Sequence, residues 1–196
     1  RLVALVVGMA ALLLFVGGLG FYASNSAVGE LQDIYEHQTI PMREVARLRR
    51  LFVENESHIF RAFQHNPSYE YAKLHDHPVN LHTDAVEKNL GWADETWGNL
   101  LRSLAPESAE AKLAKDIQPL YTSFINEALR PAISRLKAGD YSAEGVALFL
   151  KANAKYGTEM NKAFRDLAEA QQKAVKTQYE AASAQSQRLR NLSIAS

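Results

Sequence analysis

Apolar residues recur along this chain at alternating steps of three and four, and the spacing draws out two long seams. The first runs Leu31, Ile34, Gln38, Pro41, Val45, Leu48, Phe52, Asn55, Ile59 and Ala62. The second runs Val146, Leu150, Asn153, Gly157, Met160, Phe164, Leu167, Gln171, Ala174, Gln178 and Ala181. Alternation of this kind is the pattern of helices packed side by side. Turn signals divide the chain beyond Ala23 into four helical stretches, with no convincing strand. The first is predicted from about Ser24 to His65, closed by "HNPSYEY". The second ends near Leu104 and begins either after Pro67 or at Pro78, since Pro suits a first helical turn. The third spans about Glu107 to Lys137. "AGDYSAE" then supplies a Gly stop and an N-cap for the fourth, which runs from about Ser142 towards the end.

Four long helices with short connections, none apolar all round, bury their stripes only against each other. The expected fold class is therefore all-α, an up-down-up-down antiparallel four-helix bundle. Pro41, Pro119 and Pro131 fall inside the predicted helices. An interior Pro costs about 3 kcal/mol, so kinks or shifted boundaries are expected there.

Ahead of the bundle, "LVALVVGMAALLLFVGGLGFYA" carries no charge from Leu2 to Ala23. A bilayer core demands about 20 apolar residues of a helix. A retained transmembrane helix is preferred over a cleaved signal peptide, whose apolar region is shorter, although "YASNSA" resembles a weak cleavage site. Arg1 before the span places the N-terminus in the cytoplasm and the remainder outside. By helical rise, the first helix stands roughly 60 Å above the membrane and the fourth returns to it near residue 185. The expected layout is a span over 1–23, the bundle over 24–190, and the opening of a second span over 191–196.

Composition narrows the function. Acidic and basic residues balance at 22 each, which argues against a nucleic-acid partner. The absence of cysteine removes disulfides, thiol catalysis and Cys-ligated zinc. No His has a Glu three residues before it, so the di-iron bundle motif is missing, and no nucleophile–base constellation stands out. No enzyme activity and no cofactor are expected.

Asn55 and Asn153 interrupt the two seams at nearly the same predicted height, roughly 16 Å below the top of the bundle. Such amides either set helix register or line a polar pocket. Arg61, Arg50, Arg47 and Lys151 lie in the same upper region. Guanidinium groups hold carboxylates bidentately, so a converging pair suits a small organic acid, while a solvated arginine is the plainer reading. Tyr156 either closes such a site with its hydroxyl or packs. The candidate ligand-binding set is Asn55, Arg61, Arg50, Lys151, Asn153 and Tyr156. His75, His77 and His82 cluster in sequence, with His58 and His65 near the same distal tip. Spacings of two and five around a Pro-containing turn are not the close helical pairing that zinc favours, so a His-rich tip is expected and no metal site is assigned. Trp92 and Trp97 are expected to pack.

The apolar span, "YEHQTIPMREVARLRRLFVENESHIFRAF", "LHDHPVNLHTDAVEKN" and "LKAGDYSAEGVALFLKANAKYGTEMNKAFRDLAEAQ" together resemble the extracytoplasmic sensor of bacterial methyl-accepting chemotaxis proteins of the aspartate- and serine-receptor type. The resemblance covers essentially the whole chain through helix lengths and preferred residues rather than a catalytic motif. "HDHP" is similar to receptors for organic acids such as malate and citrate. The resemblance implies a homodimer in the bacterial inner membrane with its sensor domain in the periplasm. It also implies a small-molecule ligand near the membrane-distal end, and signalling by displacement of the last helix to a HAMP domain, a cytoplasmic coiled coil and a histidine kinase. Of the three arginines of the aspartate receptor, only the position of Arg61 matches; Phe52 and Ser57 occupy the others. Leu148 and Asn153 stand where that receptor has Tyr and Thr, so aspartate itself is disfavoured. A sensor-kinase ectodomain of the same fold and a membrane-tethered helical protein-interaction module are the alternatives, with a metal-binding bundle third.

Overall fold

The computed structural model describes residues 1–194, so the expected second span over 191–196 lies partly outside the described residues. Helix α1 (Leu2–Phe63) is continuous from the apolar span to the distal tip. A short 3-10 turn, Glu70–Leu74, crosses the tip, and α2 (Asn80–Ser103) descends. Helix α3 (109–137) rises again and α4 (Ala143–Ile194) returns. No strand occurs among the described residues.

The helix ends follow local chemistry. Ser108 caps α3 by accepting a hydrogen bond from the Ala111 N–H, and Ser142 Oγ does the same for the Gly145 N–H at the start of α4. At the top of α3, Gly139 takes φ +72°. This left-handed turn lets the Gly139 N–H reach Leu136 O and the Asp140 N–H reach Arg135 O, the paired bonds of a Schellman stop.

The interior prolines divide into two kinds. Pro41 and Pro131 each follow a π-helical turn, Tyr35–Thr39 and Ile125–Leu129 respectively. A proline removes one amide from the helical ladder, and a wider turn beside it lets the neighbouring carbonyls find donors. Pro119 sits inside regular α-helix. In all three cases the helix runs on through the proline.

The bundle proper begins at Pro41. From there Val45, Leu48, Phe52, Asn55, Ile59 and Ala62 of the predicted first seam are all buried. Below it the seam opens: Leu31 and Ile34 are exposed, because α2 and α3 meet at residues 104–108 and do not extend that low. Only α4 accompanies α1 there, with Gln178 Nε2 donating to Asp33 Oδ2. On α4, Gly157, Met160, Phe164, Leu167 and Gln171 are buried as predicted. Leu150 is exposed instead, and its neighbour Phe149 turns inward against Phe60 and Phe63. The core centres on Phe52, whose ring lies 4.9 Å from Phe124 and 6.3 Å from Phe164. Trp97 is buried and stacks on Tyr121, whereas Trp92 lies at the surface beneath the Lys88 ammonium.

Pairings across the bundle fix its topology. On α1 and α2, Asn55 meets Asn89 and His58 meets His82, so the two run antiparallel. On α1 and α4, Phe60 meets Phe149 while Phe52 meets Phe164, the same opposition. None of Leu2–Ile34 is buried, and this half of α1 is long and apolar enough to cross a membrane.

Candidate functional site

Two polar constellations occupy the distal half of the bundle. The lower one is a layer of amides. Asn55 is fully buried, and its Oδ1 accepts a hydrogen bond from Asn89 Nδ2 at 3.0 Å. Its own Nδ2 has no partner among the described residues. About 100° further round α1, Glu56 faces Asn153 and approaches Gly157, where a Cβ would meet Glu56 Oε1 at 3.3 Å. Gly157 thus leaves room for a carboxyl between α1 and α4. Burial pushes the Glu56 carboxyl above the usual carboxylate range, opposed by a hydrogen bond with Asn153.

The upper constellation is at the tip. Past the end of α1, Asn66 Oδ1 accepts from the Ser68 N–H, and Asn66 Nδ2 donates to Tyr141 O on the facing connection. Pro67 and the 3-10 turn fold the loop back over α1. This brings His65, His75, His77 and His82 together, with one ring nitrogen of each within 4.8 Å of those of the others. His77 Nε2 lies 3.0 Å from His82 Nε2, and His82 Nδ1 lies 3.2 Å from His58 Nδ1. Asp76 Oδ1 sits 2.8 Å from His77 Nδ1. The rings of His65 and His75 lie 4.0 Å apart, tilted by 31°. Burial, with positive neighbours in His58, His65, His77 and Arg61, pushes His82 down to about 4. Burial lowers His65 and His58 as well. For these three the shift favours the neutral imidazole.

The sequence-predicted ligand residues are not gathered into one pocket. Asn55 and Asn153 do share a level, but Asn55 turns towards α2 and Asn153 towards Glu56, so they engage different partners. Arg50 is exposed and pairs with Glu54 one turn on, at 2.8 Å. Lys151 is exposed. Tyr156 is buried with its hydroxyl accepting from Lys155 Nζ. Arg61 projects from the tip, close enough to His58 and His82 to lower both, with no acidic partner among the described residues. Residues that sequence reasoning did not single out here are Asn89, Glu56 and Asp76. For Asn89 the available signal was an amide on the predicted inner face of the second helix.

An apolar, uncovered helix running straight into an all-helical bundle, with a layer of amides and a histidine cluster in its distal half, is the layout of a membrane-anchored extracellular ligand-binding domain. The chain belongs to the family described as "Tar ligand binding domain homologue", whose model matches residues 1–195. It is a chemoreceptor ligand-binding domain, a sensor and not an enzyme. Comparison with curated proteins and with solved structures finds no match.

Proposed function

We propose that the domain binds a small organic acid at the membrane-distal end as a homodimer in the bacterial inner membrane, with the bundle in the periplasm. The observation that carries this reading is an uncovered stripe on α1. Met42, Ala46, Arg49, Val53, Ser57, Phe60 and Gln64 repeat at steps of three and four on the face away from the core; all are exposed except the half-buried Ser57, and Phe60 also touches Phe149 along one edge. Met42, Val53 and Phe60 are 40%, 48% and 40% exposed, unusual for large apolar residues on a helix that already has a buried seam. A second seam of this spacing suits the same helix of a second copy. Arg50 and Arg61 flank the stripe, so a carboxylate at the distal end of the joint would meet guanidinium groups.

In this reading Arg61 is the principal ligand residue, with Arg50 and Lys151 contributing charge. Asn55 sets register rather than touching the ligand, since Asn89 already occupies its oxygen. Signal passes by a small shift of α4 along the membrane normal. The Asp33–Gln178 contact supports a register that brings Ser24 opposite Gln187, so both helices reach the membrane at one level. A ligand needs only a few kcal/mol of differential affinity between two helix arrangements to bias them.

The test uses the full chain in lipid nanodiscs. A panel of di- and tricarboxylates is screened by thermal shift, then by calorimetry. A ligand at a hundredfold its Kd stabilises the native state by about 2.7 kcal/mol. Arg61→Ala is expected to abolish the shift and Arg61→Lys to retain part of it. Because the chain has no cysteine, Val53→Cys or Ser57→Cys is expected to form an intersubunit disulfide on mild oxidation, while Lys112→Cys on α3 does not. Carboxylates that leave the unfolding temperature unmoved would remove the organic-acid reading, and equal cross-linking at all three positions would remove the dimer seam.

A further inference from the structure

We infer that the distal tip is a binding site for one divalent transition-metal ion of the zinc class, held by the imidazoles of His65, His75, His77 and His82. The four residues come from three separate segments: the turn after α1, the crossing loop, and the first turn of α2. Nothing in local helical geometry requires them to meet, yet one nitrogen from each lies within 4.8 Å of all the others.

Zinc binds imidazole nitrogen at about 2.0–2.1 Å in a tetrahedron, which places ligand nitrogens about 3.3 Å apart. His77 Nε2 and His82 Nε2 are already near that separation, at 3.0 Å. Two neutral imidazoles facing each other through lone pairs repel unless a proton or a cation lies between them. In His77 and His82 the outer nitrogens are engaged in a way that leaves the inner ones free to coordinate. Asp76 takes the Nδ1–H of His77, the carboxylate–histidine arrangement that fixes a metal ligand's tautomer. His58 stands at the Nδ1 of His82. His65 Nε2 is buried and has no hydrogen-bond partner among the described residues. A bound ion would satisfy that atom, as the buried position requires of something.

The donor set selects the ion. Four imidazoles with no carboxylate or carbonyl suit zinc, copper, nickel or cobalt, and not magnesium or calcium. Bound there, the ion ties the loop across the top of α1 and α2 and orders the tip. The site stands on the histidines alone and does not depend on the organic-acid reading.

The test uses tag-free full chain in nanodiscs, titrated with zinc chloride by calorimetry and with cobalt chloride by visible absorption. One zinc per chain is expected, with intense cobalt bands of a tetrahedral nitrogen environment. The His75→Ala/His77→Ala double variant, whose changes lie in the half-buried loop and spare the core, is expected to bind zinc at least about 100-fold more weakly with its helicity unchanged. The inference is overturned if the unmutated chain takes up no zinc at micromolar concentration, or if the double variant binds as tightly. It is equally overturned if cobalt gives only the weak bands of octahedral, water-rich coordination, a readout that needs no variant.

Discussion

Asn89 donates its side-chain amide to Asn55 Oδ1 at 3.0 Å, with Asn55 out of reach of solvent and Asn89 nearly so. This bond ties α1 to α2 midway along the bundle. Removing one member leaves the other unsatisfied, at about 1–3 kcal/mol. Asn89→Ala is therefore expected to lower the unfolding temperature by several degrees, at roughly 2–4 °C per kcal/mol for a chain of this size. The paired change Asn55→Leu/Asn89→Leu is expected to be near neutral, since both polar groups leave together. Thermal melts of the singles and the pair, read as a double-mutant cycle, check this; a pair as costly as the sum of its singles would disprove the coupling.

Glu56 is half-buried between α1 and α4, facing Asn153 and Gly157, and its carboxyl titrates above its ordinary value. For a carboxyl raised on folding, the native state is favoured while the group stays protonated. That contribution is fully present below the unfolded pKa and is lost as pH rises through the folded one. Glu56→Gln keeps the shape and abolishes the ionisation. It is expected to raise the unfolding temperature at pH 7 and to change little at pH 4. A stabilisation of equal size at both values would show that ionisation is not the cause.

Arg61 stands between the two proposed sites, and they ask opposite things of it. As a carboxylate partner its loss weakens an acid ligand. As a cation beside an all-imidazole metal site, its loss removes repulsion from a divalent ion. Arg61→Gln is expected to weaken carboxylate binding about tenfold or more, a loss of one charge-assisted contact, and to strengthen zinc binding by a few-fold. Calorimetry with each ligand alone separates the two. Losing both together would instead mean that Arg61 holds the tip in shape.

Burial should decide which seam residues matter to stability. Phe52 is fully buried against Phe124 and Phe164, and Phe52→Ala is expected to cost about 3–5 kcal/mol. Leu31 and Leu150 sit in the same sequence pattern but are 66% and 46% exposed. Leu150→Ala is expected to cost under about 0.5 kcal/mol, and Leu31→Ala likewise. Denaturant melts of the three variants check the contrast.

The all-helical class, the near-positions of the four helices, most of the first seam and the middle of the second were legible in the residues; Ala174, Gln178 and Ala181 of the second are exposed. Heptad spacing from Val45 to Ala62 and from Gly157 to Gln171 is a local property, and so are the Gly139 stop and the Ser108 and Ser142 caps. The limits of the seams were not legible. Leu31 and Ile34 continue the spacing perfectly, but whether a residue is buried depends on how far α2 and α3 extend beside it. Leu150 failed for a related reason: near a helix start, adjacent apolar residues compete for the inward direction, and Phe149 prevails by packing on Phe60 and Phe63.

The partnership of Asn55 was invisible in the same way, because an amide on a seam announces a need for a partner without saying which helix supplies it. The histidines show the gap most fully. Their spacings of two and five across a Pro-containing turn give no helical pairing, and only the folding of the loop over α1 sets His65 and His82 against His75 and His77. Short-range sterics and periodic burial suffice to dictate an apolar span, four helices and their buried faces. Which polar groups from distant segments come to share one small volume is settled only on folding, because it depends on where the loops close and on how far each helix runs.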